Sequence, residues 1–235
     1  TLCDEGLLGS RPSLFTESIM QNDLFIGVDP DLHRTGIAAI VKDVSGRPVL
    51  LRTGVAEVHR KHVGLDACAR MARGVVLALN ELFGDQWWPK CGDFPRIFLA
   101  VEGQQKYMGE GGKKSNPEDL IRLGHVTGAA AAWEPPMQYF GRMGRRIVIP
   151  SKWKGQVPKD ICQARAFQRL GIPFVTQDAG YCVPTYNIGT TPVVLHNHLK
   201  SEWKHIGDAV ALALWAFRDV HESPVRDALE SEWCL

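Results

Sequence analysis

Four residues have the types and the order for hydrolytic chemistry at phosphorus: Asp29, Glu102, His205 and Asp208. Asp29 closes the apolar run FIGVD, and Glu102 closes another, RIFLAVE. Carboxylates at the ends of two strands of one sheet converge at its edge, where open α/β sheets bind ligands. His205 and Asp208 open the segment HIGDAVALALWAF and stand three apart, on one face of a helix. That helix is apolar nearly all round, which predicts deep burial. A buried aspartate is expensive unless something positive meets it. Alone, Asp29 or Glu102 reads as a solvated loop acid and Asp208 as a helix cap. The imidazole on the same face as Asp208 favours a shared site.

Three converging carboxylates and one imidazole make a site for two divalent cations. Oxygen donors favour Mg²⁺ or Mn²⁺, and the histidine leans toward tolerance of Mn²⁺. Two metals ~3.5–4 Å apart activate a water and stabilise the leaving oxygen of an in-line displacement. The chemistry expected is phosphodiester hydrolysis. Asp29 would bridge the metals, Glu102 and Asp208 would each hold one, and His205 would ligate a metal or position the water.

The elements that must position these residues can be read from pattern. Residues 24–29, 37–43 and 49–58 predict a three-stranded antiparallel meander, turned by Pro30-Asp31 and by Ser45-Gly46-Arg47-Pro48. Asp31 reads as a turn residue. Ala67, Met71, Val75, Leu79 and Leu82 recur at helical spacing and predict a helix over 64–84. A strand over 96–102 follows. After a glycine- and lysine-rich loop, Asn116-Pro117-Glu118-Asp119 starts a helix to about Trp133: Asn caps, Pro takes the first turn, and the acids sit near the positive end. A fifth strand over 146–150, a helix from Pro158 or Lys159 to about Leu170, and a short edge strand or loop over 172–175 come next. Residues 177–204 read as a long irregular loop, of a kind usually functional. His205 to about Val220 is the closing helix. The order predicts an α/β fold with a mixed sheet in one domain over 24–221. Residues 1–23 read as a leader or flexible tail, with Met20 a possible natural start, and 222–235 as a polar tail.

The 235 residues suit one good core and are rather few for two. A net charge of +1 does not announce nucleic acid, although a bland total can hide local segregation. The six cysteines form no C-x-x-C pair, which disfavours a zinc ribbon. Their scatter suits free thiols in a reducing compartment, such as bacterial or phage-infected cytoplasm or an organelle. No apolar run approaches the ~20 residues of a membrane span, and residues 1–19 lack a secretory signal pattern.

In four stretches the chain resembles the RuvC-type Holliday junction resolvases of the RNase H-like superfamily. FIGVDPDLHRTG resembles the first strand and turn with its catalytic Asp. IFLAVEGQ resembles the strand of the second acid. NPEDLIRLGHVTGAAAA resembles the next helix with its Leu-Gly-x-x-x-Gly step. HIGDAVALALWAF resembles the closing helix, where Asp or His is followed three residues later by Asp. The resemblance implies an RNase H-like, mixed five-stranded sheet with helices on both faces. It also implies a homodimer with two active sites facing a four-way DNA junction, and Mg²⁺ or Mn²⁺ with no small-molecule cofactor. A twofold protein can place symmetrical cuts on a twofold substrate.

Positive residues cluster. Arg142, Arg145, Arg146, Lys152, Lys154, Lys159, Arg165 and Arg169 stand against one acid, Asp160, and the loop after Glu102 adds Lys106, Lys113 and Lys114. Such groups neutralise phosphates and give salt-dependent affinity; the alternative is an ordinary solvated face. The family also carries lysines between the fourth sheet strand and the next helix, where Lys152, Lys154 and Lys159 fall. The connection here is shorter. The resemblance implies an aromatic wedge near Tyr107, which could stack on an unpaired base. The 177–204 stretch, with Tyr181, Tyr186, His196 and His198, departs from the family and suits a DNA clamp or dimer element. His196 and His198 hint at zinc but lack an obvious third ligand.

Three rivals remain. An actin-like ATPase would use Asp29 with Thr35-Gly36 as a phosphate turn, but needs a second such lobe; ATP binding discriminates. An RNase H-like nuclease acting on flaps, other branched DNA or RNA–DNA hybrids would share the acids, so substrate comparison discriminates. A non-catalytic DNA-binding protein would have little use for clustered buried carboxylates.

Overall fold

Alternation along the strands decides which face of the sheet carries the acids. A computed structural model describes residues 23–43, 45–59, 61–82, 96–104, 116–135, 142–185 and 198–222. Strands β1 (Leu24–Asp29), β2 (Arg34–Lys42), β3 (Pro48–Glu57), β4 (Arg96–Glu102) and β5 (Arg142–Val148) form one sheet in the order β3-β2-β1-β4-β5. The first three pair antiparallel; β4 joins β1, and β5 joins β4, in parallel. This is the mixed five-stranded sheet that the sequence predicts.

Side chains along a strand point alternately to the two faces. Leu24, Ile26 and Val28 of β1, Ile37 and Ala39 of β2, and Ile97, Leu99 and Val101 of β4 share one buried layer with Met71, Val75 and Val126. Those three belong to helices α1 (Gly64–Glu81) and α2 (Pro117–Ala131). Phe25, Ala38, Ile40, Phe98 and Ala100 face the other layer. It is built by α4 (Lys159–Arg169) and α5 (Trp203–His221), with a short helix α3 (Pro150–Trp153) after β5. By the same alternation Asp29 and Glu102 fall on the α5 side.

Two glycines let α5 approach closely. A Cβ at Gly27 would lie 2.1 Å from the Ala209 carbonyl oxygen and 2.6 Å from the Ala213 nitrogen. At Gly36 it would lie 2.3 Å from the carbonyl of His205. The start of α5 therefore rests on bare backbone of β1 and β2, and Gly36 is the cross-strand partner of Asp29.

Helix α2 starts as its sequence predicts, the Asn116 side chain accepting from the Glu118 N–H at 3.1 Å. Other boundaries differ. The fifth strand begins at Arg142 and stops before Pro150, which has no N–H for a ladder and instead opens α3. Part of the expected irregular loop is a hairpin of β6 (Phe174–Gln177) and β7 (Tyr181–Pro184), turned at Gly180 with φ +73°. The closing helix starts at Trp203, two residues early, after a 3₁₀ turn over Lys200–Glu202. Among the described residues Cys68, Cys162 and Cys182 are free thiols, and no helix is long and apolar enough to cross a membrane. The expected leader up to residue 22 and the tail from 223 lie outside the described residues, as do Lys106, Tyr107, Lys113, Lys114, Tyr186 and His196.

Candidate active site

The parallel register brings the first two acids together. Val28 pairs with Val101, so the next residues, Asp29 and Glu102, end adjacent strands at one level. Helix α5 brings the third: Asp208 lies in its second turn, too far along to cap it. Ligand oxygens of Asp29, Glu102 and Asp208 all lie within 4.8 Å of one another. His205 joins at one corner, its Nδ1 3.2 Å from Asp29 Oδ2. All four residues named from the sequence thus meet at one sheet edge.

The electrostatics of the cluster are unfavourable without added positive charge. The Asp208 side chain is 4% exposed, and those of Asp29 and Glu102 are each 13% exposed. Burial, then the neighbouring Asp29 charge, pushes Glu102 up to about 8 against the pull of Lys154. Burial and Asp29 likewise raise Asp208, opposed by Lys159. Lys154 Nζ lies 3.2 Å from Glu102 Oε1 and 3.9 Å from Asp208 Oδ2, and Lys159 Nζ lies 2.5 Å from Asp208 Oδ2. Burial pulls the Lys154 ammonium down, but the Glu102 and Asp208 charges outweigh it and hold its pKa above the ordinary value.

Two lysines against three carboxylates leave one negative charge uncompensated, and Glu102 Oε2 is buried without a hydrogen-bond partner. A hard divalent cation fits such an all-oxygen set with an imidazole beside it.

The structure divides the remaining basic residues. Lys154 and Lys159 turn toward the acids. Arg145 and Arg146 are consecutive in β5 and so point to opposite faces. Arg145 pairs with Glu134 at 2.6 Å beyond α2; Arg146 pairs with Asp219 of α5 at 3.0 Å and lies over the Trp215 ring. These two tie the edge strand to both helical layers. Arg169 pairs with Glu222. Arg142 and Lys152 are exposed.

Asp31 is a turn residue, as read: its Oδ1 accepts from the N–H groups of His33 and Arg34 at 2.8 and 3.3 Å. Both ring nitrogens of His198 are engaged within the chain, Nε2 at 2.8 Å from Thr53 Oγ1 and Nδ1 at 3.3 Å from Glu202. Patterning passes over Gln163, whose amide donates to Asp208 Oδ1 at 2.7 Å. Its signal was positional: with Ala166 and Phe167 it occupies the buried stripe of α4, where a polar side chain needs a partner.

No protein-family model and no curated protein matches the chain. Solved structures do. RuvC of Thermus thermophilus is 18% identical over 83% of this chain and 94% of its own, with a TM-score of 0.47. The same organism's RuvC in complex with a Holliday junction substrate is 16% identical over the same shares, at 0.44. The yeast mitochondrial Holliday junction resolvase Ydc2 is 11% identical over 92% of this chain and 85% of its own, at 0.47. At such identities the likeness concerns the course of the backbone, not the chemistry.

Proposed function

We propose that this chain is a divalent-metal-dependent endonuclease that resolves four-way DNA junctions by phosphodiester hydrolysis. The observation that carries the nuclease reading is the trio Asp29, Glu102 and Asp208, clustered at a sheet edge with an unpartnered Glu102 oxygen. In the reaction a water adds to phosphorus while one P–O ester bond breaks, leaving a phosphate monoester and a hydroxyl. Two Mg²⁺ or Mn²⁺ ions, held by the three carboxylates, would supply Lewis acidity and a more acidic water.

The chain's own side chains do the rest. Asp29 spans the His205 side and the Glu102 side of the cluster, which suits a bridging role. His205 orients Asp29. Lys154 and Lys159 hold the acids together against their mutual repulsion and put positive charge where a phosphate would approach. Arg142 and Lys152, with Lys106, Lys113 and Lys114, would neutralise phosphates along the DNA arms. Arg145 and Arg146 would add long-range attraction from their paired positions, and Tyr107 would stack on a base at the branch. A homodimer would offer two such sites to a twofold substrate.

The decisive experiment compares cleavage of a four-way junction, a flap, an RNA–DNA hybrid and plain duplex in Mg²⁺ and in Mn²⁺. Junction cleavage is expected to lead, to need the metal, and to vanish in Asp29→Asn. Full activity of Asp29→Asn would sink the metal mechanism. Equal binding of junction and duplex at matched salt would sink the junction reading, and preference for flap or hybrid would move the substrate to that class.

A further inference from the structure

A primary amide with no solvent access lies behind the acid cluster. Gln163 of α4 is 0% exposed. Burying an amide is unfavourable unless its hydrogen bonds are made, and here each end is used. Nε2 donates to Asp208 Oδ1 at 2.7 Å and to the Lys204 carbonyl at 3.2 Å. Oε1 accepts from the backbone N–H of Cys182 in β7 at 2.8 Å. The network fixes which way the amide faces. Turned over, Nε2 would meet the Cys182 N–H, and Oε1 would meet a carboxylate and a carbonyl, so every contact would become repulsive.

The chain makes room for this side chain at a cost elsewhere. A Cβ at Gly207 would lie 2.6 Å from Gln163 Cδ and 2.8 Å from both amide heteroatoms. Glycine inside a helix costs roughly 1 kcal/mol relative to alanine, and at position 207 it admits the amide. The consequence falls on Asp208. With Oδ1 held by Gln163, Oδ2 is the oxygen that meets Lys159 at 2.5 Å and Lys154 at 3.9 Å. The rotation of the carboxylate is set before any cation arrives.

Resting on the metal-site reading above, we infer that Gln163 is a positioning residue. It holds the Asp208 carboxylate in its cation-binding rotation and ties that rotation to the β6–β7 hairpin through Cys182. Partners of metal ligands commonly have this role, and losing one weakens metal affinity by roughly ten- to a hundredfold.

Two substitutions separate the ends of the amide. Gln163→Met keeps the length and removes both hydrogen-bonding groups. Gln163→Glu keeps an acceptor for Cys182 and replaces the donor facing Asp208. The measurement is Mn²⁺ binding by the full chain in calorimetry without DNA, near neutral pH, alongside metal-free melting. We expect Mn²⁺ affinity to fall about ten- to a hundredfold in both variants. A purely structural role would lower the metal-free melting temperature and leave the affinity of the folded protein within twofold. That outcome in the Glu variant, which retains the hairpin contact, would overturn the inference even if the Met variant failed to fold. Absence of Mn²⁺ binding by the parent chain is a separate result, and would remove the metal-site reading and this inference together.

Discussion

Lys154 reaches from the end of α3 to place Nζ 3.2 Å from Glu102 Oε1, on the acid whose other oxygen has no partner. The lysine therefore carries part of the charge compensation that a cation would complete. Lys154→Met keeps the stem and removes the charge. Above pH 8, in chelator, the variant should lose about 1.5–3 kcal/mol, the range for a hydrogen bond to a charged group. Urea unfolding with and without Mg²⁺ checks this. Mg²⁺ should restore more stability to the variant than to the parent; equal gains would show that the lysine and the cation do not share a task.

His205 touches the cluster at Asp29, 3.2 Å away, and not at Glu102 or Asp208. A residue that orients a ligand should matter less than the ligand. Cleavage by His205→Ala is expected to fall by about ten- to a hundredfold, and that by Asp29→Asn further. Single-turnover rates at saturating metal make the comparison. The order would be reversed if the imidazole, rather than Asp29, were the principal holder of the cation.

The acids were legible because they end apolar strands, and the period of two then decides their face without any structure. Arg145 and Arg146 part to opposite faces because the fifth strand begins at Arg142 and takes in both, where the pattern places only Arg146 in a strand. The hairpin after α4 was obscured by its shortness, since two four-residue strands around Asp178-Ala179-Gly180 carry little periodic signal. Gln163 was hidden because its partners, Cys182 and Asp208, are distant in sequence. The lysine pairing with the acids was likewise out of reach, because sequence ranks lysines as surface cations and only packing turns two of them inward.

The raised pKa values of Glu102 and Asp208 set a pH dependence. Glu102 moves from its ordinary 4.5 up to about 8, so the fold binds this proton more tightly than the unfolded chain does. That contribution is full below about pH 4.5 and is lost as pH rises through about 8. In chelator the melting temperature should therefore fall across this window, by several degrees from these groups. Glu102→Gln should flatten the fall. Metal binding must release the proton, so Mg²⁺ should raise the melting temperature more at pH 8 than at pH 6. A rise that ignores pH would place the bound cation elsewhere.

Gly27 and Gly36 form the floor on which α5 stands, with added methyls 2.1 Å from the Ala209 oxygen and 2.3 Å from the His205 carbonyl. Both obstacles are helix backbone, which cannot swing aside as a side chain can. Gly27→Ala and Gly36→Ala should each destabilise the protein by about 3 kcal/mol or more, at the upper end for overpacking. The two should differ in what they do to the site. Gly27 lies under Ala209 and Ala213, beyond the acids, whereas Gly36 lies under His205 and opposite Asp29. In whatever fraction of each variant folds at low temperature, Gly36→Ala should lose Mn²⁺ affinity by more than Gly27→Ala does. Equal loss would mean that α5 moves as one rigid rod when lifted from the sheet, and that His205 and Asp208 are placed by the whole helix rather than by its first two turns.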